Sequence, residues 1–141
     1  DWSSDVCSSD LEVNEKDFFT VSTYGGTTAS SGLKLANEVI DERFHPSSWN
    51  SYVFHLSDGD NYDSDNGRYL EEHYKLEDKV QLFGYCELEP ERSWSSVDEN
   101  KLSKVLMPRI GPNSRCVTIK SKDDVYPAFQ ELLGAEKKGG K

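Results

Sequence analysis

Two short apolar runs, each followed by a stretch with helical periodicity, constrain the fold of this chain more than any other feature. Residues 52–56 (YVFHL) and 80–86 (VQLFGYC) are almost continuously apolar, which is typical of strands covered on both faces. Between and around these runs, apolar residues recur at the spacing of amphipathic helices. Strands that alternate with helices predict an α/β fold with a doubly wound, mostly parallel sheet.

The other elements predicted from the sequence follow the same alternation. Further strands are predicted at residues 18–22 (FFTVS) and 116–119, and helices at residues 33–44, 69–79, 97–106 and 123–133. Pro46 ends the first of these helices, and Ser121 caps the last. Thr27, Thr28, Ser30 and Ser31 all offer N-caps for the first helix.

The two ends of the chain do not fit this pattern. Residues 1–11 (DWSSDVCSSDL) are rich in Ser and Asp, lack periodicity and look like a translated sequencing adapter. We therefore expect residues 1–11 to be non-native and disordered, and the natural chain to have been cut upstream. Residues 12–134 then form a partial domain, and the Gly/Lys-rich residues 135–141 form a frayed tail.

Charge and cysteine content narrow the range of partners. The 16 basic and 26 acidic residues give a net charge of −10, which disfavours nucleic acid and anionic membrane surfaces as partners. No run approaches the ~18 apolar residues of a membrane span. The three cysteines are too widely spaced for a disulfide framework, so we expect Cys86 and Cys116 to be buried thiols in a cytoplasmic protein.

An acidic loop and a glycine-rich turn are the strongest candidates for a functional site. Asp58 and Asp60 follow the apolar run 52–56, where a strand of a parallel sheet would end and where such sheets bind ligands. Clustered carboxylates suit hard cations such as Mg²⁺, although Asp, Asn and Gly are also common in solvated turns. Gly25 and Gly26 permit close backbone approach, and Thr27 could either add an oxygen ligand or cap the helix.

The run YGGTTASSGLKLANEVIDERFHPSSWNSYVFHLSDGDNYDSDN at residues 24–66 closely resembles the YeaH/YhbH family of bacterial proteins. The segment DDVYPAFQELL at residues 123–133 resembles the C-terminal end of that family. The resemblance implies a von Willebrand factor A-like domain. It also implies a bacterial stress or stationary-phase complex that includes a PrkA-type serine kinase and a SpoVR-type protein.

Von Willebrand factor A domains carry a metal-ion-dependent adhesion site, and the resemblance assigns parts of it. Thr27 matches the loop threonine and Asp58 the late aspartate of that site, Asp60 is a family-specific addition, and Gly25, Gly26 and Asn61 would line the binding loops. The Asp-x-Ser-x-Ser element is absent; residues 5–9 (DVCSS) imitate it but follow no apolar strand. The resemblance therefore implies a domain without its first two strands, which leaves the strand before Asp58 at a bare edge.

Two classes of function remain open at this point. The resemblance favours a non-enzymatic protein-interaction domain that depends on Mg²⁺ or another divalent cation, bound weakly or not at all by this fragment. The alternative is a Mg²⁺-dependent phosphoryl-transfer or hydrolase domain that uses Asp58 or Asp60 as nucleophile or acid/base. No Lys, Arg or His is placed by spacing to stabilise a transferring phosphate, which favours the interaction domain.

An EF-hand-like run and the three histidines are weaker candidates for a site. Residues 61–72 imitate an EF-hand loop, but Asn occupies its first and sixth positions and a strand precedes it, which disfavours a calcium site. His45 and His73 are predicted on the surface. His55, between two apolar residues of a strand, is predicted to be a hydrogen-bonded core histidine.

Overall fold

A computed structural model describes residues 12–16, 28–89 and 101–134 of the chain. Within these ranges the helices and strands are α1 (Ala29–Arg43), β1 (Tyr52–Ser57), α2 (Asn66–Glu77), β2 (Leu82–Leu88), α3 (Leu102–Leu106), β3 (Ser114–Ile119) and α4 (Val125–Gly134). Short 3-10 turns at Asp63–Asp65, Met107–Arg109 and Lys122–Asp124 adjoin α2, α3 and α4.

The three described strands form one parallel sheet in the order β1-β2-β3. Phe54 of β1 pairs with Gly84 of β2, and Cys86 of β2 pairs with Val117 of β3. All three strands therefore end at the same edge, which we call the carboxyl edge.

Helices cover both faces of the sheet. Phe83 and Tyr85 of β2 pack with apolar residues of α1, α2 and α3, whereas Cys86, which points the other way, packs with Ala128 and Leu132 of α4. The α/β architecture predicted from the sequence, with a parallel sheet flanked by helices, is confirmed for the described residues. No helix among them has the length and apolarity needed to cross a membrane.

The central strand and the edge strand differ in burial. β2 is buried from Leu82 to Glu87, as its apolar run predicts, but β1 alternates between exposed and partly buried residues. The prediction that residues 52–56 are covered on both faces is therefore wrong for this structure. The reason is that α4 lies against β3 and β2, which leaves Phe54 and Leu56 of β1 exposed.

The predicted helices are present, with shifted ends. Helix α2 begins at Asn66 and not near residue 69, and the first turn of the last helix is a 3-10 turn held by a reciprocal capping box between Ser121 and Asp124. Of the predicted helix at 97–106, the structure describes Leu102–Leu106. The predicted strand at 18–22, the adapter-like residues 1–11 and the tail 135–141 lie outside the described residues.

Candidate functional site

The acidic loop predicted as a ligand site follows β1 directly at the carboxyl edge. Its Asp58 is exposed, and the Oδ1 atom of Asp58 accepts a hydrogen bond of 3.0 Å from the backbone N–H of Asp60. The preceding Ser57 accepts a similar bond through Oγ from the N–H of Gly59. Because side chains close these local turns, the backbone that carries Asp58 and the exposed Asp60 has a defined conformation.

Gly59 is the buried point on which this loop turns. Its φ is +90°, in the region that favours glycine. A Cβ atom at this position would lie 2.8 Å from the Oε2 atom of Glu87. Both the backbone angle and the close approach to Glu87 therefore require glycine between the two aspartates.

The second half of the loop caps helix α1. Asn61 Oδ1 accepts a 2.9 Å hydrogen bond from the N–H of Ala29, and Asp65 Oδ2 accepts a 3.0 Å bond from the N–H of Ser30. Thr28 occupies the N-cap position of α1 but makes no side-chain capping bond there. Of the four N-cap candidates, Thr28 has the predicted position, but the acceptors are the side chains of Asn61 and Asp65 from another part of the chain, and Thr27 lies outside the described residues.

The same capping arrangement decides the role of Asn61, which was predicted to be a binding residue. Its carbonyl oxygen is engaged by α1, and its amide nitrogen donates to Oδ1 of Asn66 over 2.9 Å. Asn61 thus joins α1, the loop and the start of α2. Gly25, Gly26 and Thr27 lie outside the described residues, so the predicted approach of Thr27 to Asp58 stays a prediction.

Glu87 is a residue of this region that the sequence analysis missed. It is the penultimate residue of the central strand β2 and is buried. Its Oε2 atom accepts hydrogen bonds of 3.1 Å from the Tyr85 hydroxyl and from the N–H of Ser103. The carbonyl oxygen of Gly59 accepts a further bond of 3.0 Å from the N–H of Leu102. The acidic loop and β2 together therefore cap the start of α3, whereas the loop alone caps α1.

A lysine stands between the carboxylates at this edge. Lys101 Nζ lies 3.0 Å from Oε1 of Glu89 and 3.9 Å from Oε1 of Glu87. The hydrogen bond with Glu89 raises the pKa of Lys101 and lowers the pKa of Glu89. The one sequence signal for these contacts is the Glu87-Leu88-Glu89 triplet that ends a long apolar run.

An open cleft of about 530 Å³ lies at the carboxyl edge beside Asp58. The residues that line the cleft come from the ends of all three strands and the start of α4: Asp58, Leu88, Ile119, Lys120, Ser121, Lys122 and Val125. Its lining combines the apolar Leu88, Ile119 and Val125 with charged side chains. Such a cleft at the carboxyl ends of parallel strands is where α/β sheets place ligands.

The carboxylates at this edge make an incomplete set of metal ligands. Among residues 12–16, 28–89 and 101–134, no group of three or more His, Cys, Asp or Glu side chains is arranged to hold a metal ion. Asp58 and Asp60 nevertheless offer exposed hard oxygen donors on one turn, which suit Mg²⁺ chemically. The residues seen here thus fit part of a cation site that would need further oxygen ligands.

The EF-hand-like pattern at residues 61–72 is divided between the acidic loop and helix α2. Asp65 accepts a hydrogen bond from the N–H of Ser30, and the twelfth position, Glu72, contacts Asn37 and Lys75. Because α2 begins at the sixth position, Asn66, the helix and the mismatched positions both disfavour a calcium site.

Two of the three histidines are hydrogen-bonded within the fold, His55 partly buried and His73 fully buried. His55 Nδ1 lies 2.8 Å from the Tyr69 hydroxyl oxygen, as predicted for a hydrogen-bonded histidine. His73 was predicted on the surface and is buried, because α2 turns it toward β3, where its Nε2 atom lies 2.9 Å from Ser114 Oγ. Ser114 Oγ in turn donates to Oε1 of the buried Glu77 over 2.9 Å, so His73 Nε2 is the donor to Ser114. His73 Nδ1 has no hydrogen-bond partner among the described atoms, and burial lowers the pKa of His73.

These elements define the class of the molecule: a parallel α/β domain whose acidic loop borders a cleft at the carboxyl edge. Residues 8–136 match the family described as "Protein of unknown function (DUF444)", and the chain belongs to this family. The family resemblance carried by residues 24–66 is thereby confirmed.

Bacterial relatives named UPF0229 proteins match most of the chain. The relative from Ruminiclostridium cellulolyticum is 41% identical over 124 residues, which cover 86% of this chain and 30% of that protein. A Clostridium perfringens relative is 36% identical (88% and 31% covered), and a Legionella pneumophila relative is 37% identical (86% and 28% covered). The chain thus spans about 30% of the length of these relatives. No solved structure is significantly similar to it.

Proposed function

We propose that this chain is part of a von Willebrand factor A-like domain that binds a protein partner at the carboxyl edge with the help of a divalent cation. The parallel sheet, the helices on both of its faces and the acidic loop after β1 support this proposal. The first two strands of such a domain would then lie in the part of the family proteins that this chain does not span.

The exposure of Asp58 at the mouth of the cleft is the observation that carries the proposal. Gly59, Asn61 and Asp65 all face inward, where they contact Glu87 or cap helices. Asp58 and Asp60 remain exposed on a loop whose conformation is fixed by these inward contacts. A loop with this division of roles presents two carboxylates to a ligand without giving up its own internal contacts.

The cation would be held by Asp58 and Asp60, with Thr27 as a third oxygen donor. When bound, Mg²⁺ keeps several waters and would supply a coordination position for an acidic side chain of the partner. The apolar residues Leu88, Ile119 and Val125 of the cleft would contact the surrounding part of that partner. In the bacterial setting that the family implies, candidate partners are a PrkA-type serine kinase and a SpoVR-type protein.

Titration calorimetry with MgCl₂ tests the cation site. We expect the chain to bind Mg²⁺ no more tightly than millimolar, since two or three side-chain oxygens compete poorly with the hydration of an ion that dehydrates reluctantly. The complete family protein should bind more tightly, and Asp58→Ala should abolish that gain together with partner binding.

Asp63→Ala is the matched control, because Asp63 is an exposed aspartate of the same segment that does not line the cleft. This variant should leave the affinity of the complete protein for Mg²⁺ unchanged. Micromolar affinity in the chain alone, or a complete protein indifferent to Asp58→Ala, would show that cation binding depends on other residues.

A further inference from the structure

An apolar surface lies on the α4 side of the sheet and includes residues of β1, the strand that precedes the acidic loop. Leu56 of β1 is 53% exposed and Phe54 36%, and on α4 Tyr126 is 72% and Leu133 48% exposed. The rings of Phe54 and Phe129 lie 5.8 Å apart and connect the two elements. We call Phe54, Leu56, Tyr126, Phe129 and Leu133 the uncovered face.

Helix α4 carries two apolar stripes, and among the described residues only one of them is buried against the sheet. Ala128 and Leu132 are buried against the sheet. Tyr126, Phe129, Gln130 and Leu133 follow one another at the i, i+3, i+4, i+7 spacing and line a groove of about 380 Å³. A second stripe at this spacing suits a neighbouring helix, whose side chains would enter the groove.

The dimensions of helices and strands place that neighbour over β1. Packed helices lie 8–10 Å apart, and strands about 4.8 Å apart, so one helix covers roughly two strands. Since α4 packs on β3 and β2, the next helix on this face would lie over β1 and one further strand. That position would cover Phe54 and Leu56 and fill the groove on α4 at the same time.

We propose that the uncovered face binds an amphipathic helix from the part of the longer family protein that this chain does not span. The relatives are roughly three times as long as the matched region, so the same polypeptide can provide the helix. A second copy of the chain is a poorer occupant, because each copy carries a net charge of −10. The proposal concerns the α4 side of the sheet and uses none of the proposed cation ligands, although Leu56 lies on the strand that leads into Asp58.

Thiol labelling of Leu56→Cys tests the proposal without depending on stability. The variant is made in the 141-residue chain and in a complete family protein that contains the sequence of this chain. Its reaction with a maleimide is followed by peptide mass spectrometry under native conditions. We expect labelling at position 56 at least ten-fold slower in the complete protein. Met107→Cys is the matched control, since Met107 is 56% exposed and lies outside the uncovered face, and it should label at equal rates in both lengths.

Two results would overturn the proposal. Equal labelling of position 56 in both lengths would show that the face stays exposed in the complete protein. Labelling in the 141-residue chain that slows as its concentration rises would show that a second copy covers the face. As a second measurement, Leu56→Lys should lower the melting temperature of the complete protein by several degrees and leave that of the chain almost unchanged, which distinguishes packing from simple exposure.

Discussion

His55 points from β1 toward the helices α1 and α2, and its environment stabilises the neutral imidazole. Its Nδ1 atom lies 2.8 Å from the Tyr69 hydroxyl oxygen, and its ring contacts that of Tyr85 edge-on at 5.3 Å between centroids. Burial lowers the pKa of His55 to about 4. In an unfolded chain the pKa of a histidine is about 6.5, so protonation and folding oppose each other.

We therefore predict that the fold loses stability as the pH falls from about 6.5 toward 4. In this window the unfolded chain binds more protons at position 55 than the folded chain, so the free energy of unfolding rises with pH. The stability from His55 is fully present above about pH 6.5 and amounts to at most about 3 kcal/mol. Urea denaturation at pH 5 and pH 7 should show a smaller difference for His55→Gln than for the unchanged protein.

The control for this prediction is His45→Gln. His45 is exposed, so this variant should keep the full difference between pH 5 and pH 7. His73 also contributes to the pH dependence in this window, because burial lowers its pKa too. For that reason the stability difference between pH 5 and pH 7 in the His55→Gln variant is compared with that in the unchanged protein. A His55→Gln variant with an unaltered pH dependence would contradict the assignment.

At the scale of single elements, the loop after β1 combines two tasks in neighbouring residues. Asp65 is buried and accepts hydrogen bonds from the N–H and the hydroxyl of Ser30, whereas Asp58 is exposed at the cleft. The two aspartates look alike in the sequence, yet one stabilises α1 and the other is free to contact a ligand.

Substitutions should separate these two tasks. Asp65→Ala should lower the free energy of unfolding by roughly 1–2 kcal/mol, since it leaves a helix N-terminus without its capping carboxylate. Asp58→Ala should change the free energy of unfolding by no more than about 0.5 kcal/mol, as is usual for an exposed side chain. Urea denaturation of both variants checks this, and equal losses of stability would show that Asp58 also has a structural role.

The sequence predicts the elements better than the contacts between them. The apolar run around Phe83 and Tyr85 identifies the buried central strand, and Ser121 identifies the start of the last helix. Helix α2 begins earlier than expected because Asn66 and Gly67 have low helix propensity and conceal its first turn. His73 was misplaced because its neighbours in the sequence are charged, and only its contacts with Phe83 of β2 and Ser114 of β3 show that it is buried.

The place of the acidic loop in the fold was predicted from the sequence, and its hydrogen bonds were not. The acidic residues after residues 52–56 do lie at the carboxyl edge beside a cleft, because parallel strands end together there. The roles of Asn61, Asp65 and Glu87 depend on helix starts that lie 32, 35 and 16 residues away along the chain. Contacts at such separations leave no local pattern in a single sequence.

At the scale of the whole molecule, the net charge of −10 opposes compaction. Screening by salt reduces this repulsion, because the Debye length falls from about 30 Å at 0.01 M to about 10 Å at 0.1 M. We predict that NaCl raises the melting temperature of the chain by a few degrees over this range. Differential scanning calorimetry measures the shift.

The same measurement with MgCl₂ at matched ionic strength separates screening from specific binding. Asp58→Ala should respond to NaCl as the unchanged chain does, because one charge among many has little effect on overall repulsion. A melting temperature that falls as NaCl is added would show that attractive ion pairs such as Lys101–Glu89 outweigh the repulsion.

The hydrogen bonds around the acidic loop make amide hydrogen exchange a measure of how often that loop opens. Four backbone N–H groups donate hydrogen bonds to acceptors on the loop or on the neighbouring β2: those of Ala29, Ser30, Leu102 and Ser103. Any movement that opens the loop must release the amides of Ala29, Ser30 and Leu102, and their hydrogens then exchange with solvent deuterium. Three probes from two separate helices thus register events in the loop, although none of them is part of the exposed surface around Asp58.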